Sequence, residues 1–530
     1  MQALSQSQLK RLTAIHGWSG IVLGLLLYAV VVTGTVVVFE SEIASWSVGG
    51  PRSTDQITAS IDDKVRPLID KVSKGYQQEV GVWVNEQGHL MVFPHGHARN
   101  PDTGEMSDIG TMFRADPITG DVLERHEGFI WEDQPAWAAS ALSRFLIDLH
   151  VQLYVPEPWG LILTGILGLS MMAAGATGFL LHRHLIRDLF VPVRRGERLV
   201  TSRDRHILAA SWSLPFAFLL GFTGSYFSFA GSVGFPLLSM IAFGGDREAM
   251  AETLFEPPVV TDETRIPMAD LDAMIAESSR ITGSVPTYIG ISRYGRADSR
   301  ISIWHYPPAG TLQYVHNVFD GAKGQFLGRR PIVGNTPSTA SDLAGLMAPL
   351  HFGHFAGVLS KSIWVGLGAA MSFVILSGLR LWIRRRQDDR LWRGFARAVT
   401  VVGYGLPLSI LGCTYAYLLA LPGDDPFWWT PAGFVFTALS AIALGFATHR
   451  DDQLSAIFRR IIAVGCLLLP VTRMAMGGTS WAEALAFNRG AIFSIDLMLL
   501  IGGGLLLFFC LRRKSRPGVP VRAAVPEPAE

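Results

Sequence analysis

Cysteine is scarce in this sequence, and the little that it has is spaced for none of the usual cysteine chemistries. The chain of 530 residues contains three cysteines, Cys413, Cys466 and Cys510, each within an apolar run. No CxxC, CxxCH or zinc-ligand spacing occurs. These absences argue against a disulfide framework, a structural zinc site and a covalently attached haem.

Charged residues and nucleotide-binding motifs are also few. Only 17% of the residues are charged and the formal net charge is +1, so composition gives no indication of a nucleic-acid partner. No GxGxxG follows a predicted strand, and no P-loop occurs. The spaced glycines from Gly321 to Gly328 fall in a predicted hairpin and match neither motif. We therefore expect no bound nucleic acid and no dinucleotide site within the chain.

Apolar residues, in contrast, are abundant. They make up 49% of the sequence, and the mean hydropathy of +0.30 is too high for an ordinary soluble protein. A membrane-spanning helix needs about 20 mostly apolar residues. About eight such runs occur, at 15–39, 159–181, 207–229, 363–383, 399–419, 429–448, 461–476 and 491–511. The sequence therefore predicts a membrane α-helical fold surrounded by membrane lipid.

Basic residues indicate how these spans are oriented. Lysine and arginine accumulate before the first span and in the connections at 183–205, 384–397, 450–460 and 512–514, whereas the loops at 422–427 and 477–489 are almost free of them. By the positive-inside rule, both termini are cytoplasmic and the long segments near 41–148 and 231–348 are extracytoplasmic. The first run lacks a small-residue cleavage site, so we expect a retained helix in a bacterial inner membrane.

Each long polar segment has the pattern of a helix followed by short strands. The first segment predicts a helix at 57–73 and strands near 79–84, 89–93, 112–115 and 121–124; the second predicts a helix at 268–282 and strands at 288–293, 300–306 and 313–319. Turn residues at 116–120 and 320–324 bound the strands. We expect two small extracytoplasmic α+β lobes, each too short to be a catalytic domain.

The two halves of the first 386 residues repeat each other. Thr33-Gly34 follows His16 by 17 positions, and Thr223-Gly224 follows His206 by the same 17. The second-helix features also correspond, with Leu149-His150 and Gly178 in one half and Leu350-His351 and Gly378 in the other. Because each unit contains two spans, the copies are parallel and related by a pseudo-two-fold axis along the membrane normal.

That symmetry predicts two pairs of opposed histidines. His16 and His206 begin their helices on the cytoplasmic side, and His150 and His351 lie on the extracytoplasmic side. Opposed imidazoles on an axis are the ligands that a six-coordinate, non-covalently bound haem needs. We therefore predict non-covalently bound haem at two levels, with its iron held by these four metal ligands.

Neighbouring residues are consistent with such cofactors. Gly20 and Ala210, four residues after the cytoplasmic histidines, would let a flat ring lie against each helix. Basic residues at the cytoplasmic edge are candidates to pair with haem propionates: Lys10, Arg11, Arg203 and Arg205.

The four histidines could have other roles, and other histidines could replace them as ligands. A single histidine at a membrane interface is usually a polar anchor, although four in register are harder to explain that way, because ionisable groups in spans are costly. His354 competes with His351 for the outer site, and His182 and His184 compete for the inner site. Pro156-Glu157-Pro158 separates His150 from its apolar run, which indicates a short helix at the interface.

Two other clusters of ionisable residues are candidates for a site. His95-Gly96-His97 follows Pro94, a pattern that favours a polar loop over a metal site. Arg473 and Asp496 lie in or near apolar runs of adjacent spans; a structural ion pair is favoured over a functional role.

These motifs resemble a known family. Arg11…His16-x-Trp18…Thr33-Gly34, with its repeat in the second half and Leu350-His351-Phe352-Gly353…Ser377-Gly378, looks like the PepSY-associated transmembrane family. The lobes with an Asp-Pro-x-Thr-Gly turn look like PepSY domains, although the second turn departs to Asp-Gly-Ala-Lys-Gly. The resemblance covers about residues 9–386, and the last four spans have no counterpart in shorter members.

The resemblance implies an oxidoreductase that carries two b-type haems (haem b) and reduces ferric siderophores. Such a protein would take electrons from a quinol or a cytoplasmic flavoprotein and deliver them to a ferric siderophore or another ferric chelate outside the membrane. Two other classes stay open: a membrane transporter for iron or a chelate, and a PepSY-type binding or regulatory protein.

The predicted domain order follows the repeat. It comprises the cytoplasmic N-terminus with the first span (1–40), the first lobe (41–148), the second and third spans with their basic loop (149–230), the second lobe (231–350), the fourth span (351–386), four additional spans (387–514) and a disordered tail (515–530).

Overall fold

The structure is a computed structural model in which most of the chain is described. The described residues are 5–47, 57, 60–85, 88–102, 104, 106–130, 140–181, 193–194, 198–255, 259–308, 310–384, 386, 388–423, 425–486 and 489–512. The predicted disordered tail therefore lies outside the described residues.

Helices dominate the described part of the chain. In chain order they are α1 (Gln6–Val37), α2 (Glu40–Ser47), α3 (Asp62–Asp70), α4 (Ala141–Val151), α5 (Trp159–Leu181), α6 (Arg198–Phe229), α7 (Phe235–Ala242), α8 (Arg247–Phe255), α9 (Leu271–Thr282), α10 (Thr339–Phe352), α11 (Gly357–Arg384), α12 (Arg390–Ala420), α13 (Pro426–Ala447), α14 (Asp451–Ala475), α15 (Trp481–Ala486) and α16 (Gly490–Arg512).

Eight of the helices in the described residues are long and apolar enough to cross a membrane. They are α1, α5, α6, α11, α12, α13, α14 and α16, and each overlaps one of the predicted runs. The membrane α-helical fold class is thereby confirmed. The helix α4 ends at Val151, before the proline-rich break, so His150 lies on the predicted short helix rather than in a span.

The duplicated core is a four-helix bundle. Helix α1 packs against α5 and α11, and its repeat α6 packs against the same two helices. Their shared apolar cluster takes one or two buried side chains from each helix: Leu27, Val31, Leu167, Phe216 and Met371. The short helices α4 and α10 contact α1 and α6, respectively. Each half therefore places equivalent helices in equivalent positions, as the internal repeat predicts.

The strands form a single antiparallel sheet. They are β1 (Glu79–Val84), β2 (Leu90–Arg99), β3 (Met106–Ala115), β4 (Val122–Phe129), β5 (Pro286–Ser292), β6 (Arg300–His305), β7 (Val315–Asp320) and β8 (Phe326–Arg330), in the order β4-β3-β2-β1-β5-β6-β7-β8. Strand β8 was not predicted. Each polar segment supplies four strands, and the two lobes join where β1 pairs with β5, with Gly81 opposite Gly290.

The two repeats of the sheet share their local construction. Asp116 Oδ1 accepts backbone hydrogen bonds from Ile118 and Thr119 at 2.7 and 3.0 Å. Asp320 Oδ1 accepts from residues 322 and 323 at 3.0 and 2.9 Å. Such side-chain caps favour a tight turn, and both turns end in a glycine with positive φ. Helices α3 and α9 cover one face of the sheet with a common apolar core.

A buried ion pair ties the last helices to this core. Arg473 of α14 donates to Asp496 of α16 at 2.8 Å, and both side chains are fully buried. Asp496 also accepts from the indoles of Trp46 in α2 and Trp481 in α15, at 2.6 and 2.8 Å. The favoured structural pair is confirmed, and through Trp46 it reaches the first repeat. Tyr28 of α1 makes a second link, since its hydroxyl donates to the carbonyl of Gly403 in α12 at 2.7 Å.

Replacing Asp496 should destabilise the whole protein. The substitution Asp496→Ala leaves the Arg473 guanidinium buried without its carboxylate, which typically costs about 3–5 kcal/mol. We expect a clearly lower Tm in detergent, measured by intrinsic tryptophan fluorescence. The control is Asp452→Ala, whose ion pair with Arg450 leaves 68% of both side chains exposed. Equal Tm values for the two variants would contradict this role for Asp496.

Candidate histidine-pair sites

Four histidines are held in the same way, each against a hydroxyl-glycine dipeptide on another helix. The dipeptides are Thr33-Gly34, Thr177-Gly178, Thr223-Gly224 and Ser377-Gly378. In every case the hydroxyl residue hydrogen-bonds ring nitrogen Nδ1, and the absent side chain of glycine makes room for ring carbon Cε1.

The inner pair lies within the spans. His16 Nδ1 lies 3.0 Å from the carbonyl oxygen of Ala174 and 3.2 Å from Thr177 Oγ1. A Cβ atom at Gly178 would lie 3.4 Å from His16 Cε1. In the second repeat, His206 Nδ1 lies 2.9 Å from Ser377 Oγ, and a Cβ atom at Gly378 would lie 3.1 Å from His206 Cε1. We call each hydroxyl-glycine dipeptide, with the space it leaves for a ring, a cradle, and both inner histidines have one.

The outer pair repeats this pattern at the other end of the bundle. His150 Nδ1 lies 3.1 Å from the carbonyl oxygen of Val30 and 3.4 Å from Thr33 Oγ1. A Cβ atom at Gly34 would lie only 2.7 Å from His150 Cε1, so no larger residue fits without moving the ring. His351 Nδ1 lies 2.8 Å from Thr223 Oγ1.

These contacts determine which nitrogen remains available. A carbonyl oxygen only accepts, so Nδ1 must carry the proton and donate it. The hydroxyls of Ser377 and Thr223 give their own protons to backbone carbonyls, at 3.1 and 2.8 Å, and so accept from the imidazole as well. The lone pair is then on Nε2, which is the arrangement that histidine adopts as a metal ligand.

The outer imidazoles face each other. The ring centres of His150 and His351 are 6.3 Å apart and the ring planes differ by 25°. Two metal–imidazole bonds of about 2.0 Å, with roughly 1.1 Å from nitrogen to ring centre on each side, span about 6.2 Å. The ring-centre spacing of His150 and His351 matches the spacing expected when Nε2 of both rings binds one metal ion.

The structure also places the competing and flanking residues. His354 begins a short 3₁₀ helix and stacks on Phe352 at 5.6 Å, so His351 rather than His354 is opposite His150. His182 and His184 lie outside the described residues. Arg11 and Arg205 are exposed near the inner pair. Among the described residues, no atom beyond the local helix lies within 4 Å of a Cβ built at Gly20, so Gly20 borders open space one turn from His16.

No group of three or more His, Cys, Asp or Glu side chains in the described part of the chain is arranged to hold a metal ion. The candidate sites therefore rest on two histidines each, and the ring geometry of the outer pair is the one described above. That set suits a metal whose remaining positions are filled by a planar macrocycle.

The interpretation of His95-Gly96-His97 as a loop is wrong. These residues continue β2, because His95 pairs with both β1 and β3, and Gly96 and His97 pair with β3. His97 bridges two carboxylates, with Nδ1 2.9 Å from Asp108 and Nε2 3.3 Å from Glu79. Asp108 and Glu79 raise the pKa of His97 to about 10, and hydrogen bonds from His95 and His97 hold the pKa of Glu79 well below its usual range. The cluster stabilises the sheet as an imidazolium between two carboxylates.

Sequence reasoning missed the cradles. It recognised Thr33-Gly34, Thr223-Gly224 and the two second-helix glycines as markers of the repeat, but it assigned them no contact with a histidine. The signal that was available is the hydroxyl residue before each of the four glycines, including Thr177 and Ser377.

The fold and the paired histidines define a duplicated multi-pass membrane protein. The sequence profile of the PepSY-associated TM region matches residues 13–385, and the chain belongs to this family. An uncharacterized protein of Pseudomonas aeruginosa is 29% identical over 391 residues, which cover 68% of this chain and 92% of that protein. The family match ends before α12, so the last four spans lie beyond it.

The histidine in the sheet should make stability depend on pH. The pKa of His97 is raised in the folded state, so the stability that its two ion pairs contribute is fully present below the pKa of about 6.5 that His97 has in the unfolded chain. That contribution is lost as the pH rises through about 10. We expect His97→Gln to lower the Tm near pH 6 and to have little effect above pH 10, as measured by thermal unfolding. The control is His126→Gln on β4; a difference for His97→Gln that is constant with pH would contradict the assignment.

Proposed function

We propose that this protein is a di-haem b-type reductase of the bacterial inner membrane that reduces a ferric chelate on the side of the sheet. His16 and His206 would hold one haem, and His150 and His351 would hold the other. The observation that carries the proposal is the outer pair, whose ring centres are 6.3 Å apart with Nε2 left free on both rings.

The surroundings of the histidines support haem over a bare metal ion. Each site offers two imidazoles, and the iron of a non-covalently bound haem is a metal that a pair of histidines would hold. Small residues clear the space beside the ligands, as Gly20 does next to His16. Exposed Arg11 and Arg205 are candidates to pair with propionates at the inner edge.

The two sites lie at different depths of one bundle. Along α1, the contacts with His150 at Val30 and Thr33 are 14 and 17 residues from His16. At 1.5 Å per residue this is about 21–25 Å, which is most of the hydrocarbon thickness. Haem iron bound at both levels would supply one-electron chemistry across the membrane. The chain itself would hold the four imidazoles in place. The apolar cluster of the bundle, between the two levels of histidines, would exclude water.

The orientation follows from the basic connections. With both termini in the cytoplasm, the His16–His206 pair is on the donor side and the sheet is extracytoplasmic. A quinol or a cytoplasmic flavoprotein would provide electrons, because the sequence has no dinucleotide motif. The acceptor is a ferric siderophore or a similar chelate. One electron converts its iron to the ferrous form, which hard oxygen ligands hold less tightly, and the iron is released.

Haem content tests the proposal directly. We expect two b-type haems per chain by the pyridine haemochrome assay, one in His206→Ala and one in His351→Ala. The matched control His354→Ala should keep both, since that ring stacks on Phe352 instead of facing His150. A wild-type protein without haem would refute the proposal, and loss of haem in His354→Ala alone would reverse the assignment of the outer ligand.

Electron transfer can be measured in proteoliposomes. The basic connections of the reconstituted protein should face the vesicle lumen, where a reductant is trapped. Electrons from this reductant should then reduce a ferric chelate outside the vesicles, and a chromogenic ferrous chelator reports the reduction. His206→Ala should lower the rate by at least tenfold. Iron accumulation inside the vesicles without reduction would indicate a transporter instead.

The steric requirement at Gly34 gives an independent prediction. Because a Cβ there would lie 2.7 Å from His150 Cε1, Gly34→Ala should displace the ring and cost the outer haem. Gly366→Ala on α11 is the control, since nothing lies within 4 Å of the added atom. The haem stoichiometry and the absorbance spectrum of both purified variants provide the measurement. Two intact haems in Gly34→Ala would show that the cradle is not needed.

A further inference from the structure

The short helix α4, which carries His150, packs its apolar side toward the last four spans. The buried residues of that side follow the spacing of one helix face and are Leu142, Phe145, Leu146 and Leu149. They belong to one buried cluster with side chains from α12, α14, α15 and α16. The ring of Phe145 also lies 5.4 Å, centre to centre, from the ring of Phe434 in α13. A helix that holds an outer histidine is therefore packed into the part of the molecule beyond the family match.

The equivalent helix of the second repeat, α10, is less covered on the same side. His351 corresponds to His150 and Leu343 to Leu142, since 351 − 150 and 343 − 142 both give 201. Leu142 is fully buried, whereas Leu343 is 56% exposed. The last four spans thus cover the outer-ligand helix of the first repeat at a position that is open in its counterpart.

The two helices also differ in how far they are stabilised locally. Helix α10 has 14 residues, and Ser338 Oγ caps its first turn by accepting from the backbone N–H of Ser341 at 3.2 Å. It ends at Gly353, whose left-handed φ of +70° is a common way to close a helix. Helix α4 has 11 residues, a length at which an isolated helix is marginal in water. The position of α4 must therefore depend strongly on the side chains that pack against it.

We propose that the last four spans are a positioning unit for His150, and that they act by holding α4 in place. His150 directly follows Leu149 at the end of the packed face, so a displacement of α4 would move the imidazole away from Val30 and Thr33 of α1. The inference rests on the proposed function, and it deepens that function by giving the spans beyond the family match a role at the outer site.

The contact between Phe434 and Phe145 gives the sharpest variant. Phe434→Ala removes the ring that packs against α4, and Phe434→Leu keeps part of that packing. Phe436→Ala is the control on the same helix, because Phe436 is 72% exposed. Phe458→Ala is the control for a cavity elsewhere in the last four spans, since Phe458 is fully buried in a cluster that contains no residue of α4.

The experiment measures the two haems separately in the purified, haem-loaded full chain. Spectroelectrochemistry gives their midpoint potentials, and transfer to a haem-scavenging protein gives their release rates. His351→Ala, which should keep only the inner haem, identifies the signals of the inner site. In Phe434→Ala we expect a shifted outer potential and release of the outer haem that is faster by roughly tenfold, because the cavity loosens the packing of α4. The inner haem should be unchanged, and Phe434→Leu should show a smaller effect on the outer haem alone.

Several results would overturn the inference. These are an outer haem that is unaltered in Phe434→Ala, equally faster release of both haems in that variant, or the same change of the outer haem in Phe436→Ala or Phe458→Ala. A lower Tm in Phe458→Ala with an unaltered outer haem would support it. All of these results come from a protein that binds two haems, so they leave the proposed function standing. A wild-type protein without haem is the separate failure that the haemochrome assay detects.

Discussion

The candidate sites depend on one interaction, the hydrogen bond from an imidazole Nδ1–H to an oxygen on another helix of the same repeat. It places the proton on Nδ1, orients the ring and leaves Nε2 free. His16 reaches from α1 to α5, and His150 reaches from α4 back to α1. Each repeat therefore holds its own two histidines. The pseudo-two-fold arrangement then has only to bring matching rings face to face.

Much of the architecture could be predicted because its signals are long or repeated. Eight apolar runs are recognisable one by one, and duplicated histidines must occupy related positions. The cradles were not predicted, since a Thr-Gly pair acts on a helix far away in sequence. The turn-like residues from Pro94 to His97 were misleading, because the ladders with β1 and β3 outweigh local propensity there. The join between β1 and β5 unites segments about 200 residues apart, which no local pattern reveals.

The last four spans are integrated into the molecule although they lie beyond the family match. Asp496 accepts from Arg473, Trp46 and Trp481, so one carboxylate connects α14, α15 and α16 to the helix that follows the first span. Burying this charge is tolerable because its partners surround it. The same contacts bring these spans alongside the first repeat, and α4 packs against α13 and α12.

The continuous sheet also has a consequence for how the two repeats find each other. Strand β1 has β2 on one side and β5, from the other half, on the second. A chain containing one repeat would leave that whole edge unpaired, and exposed strand edges recruit other strands. A protein made of one repeat would need a second copy of itself to cover that edge. In the duplicated chain the pairing of β1 with β5 is intramolecular, so it does not depend on the concentration of the protein.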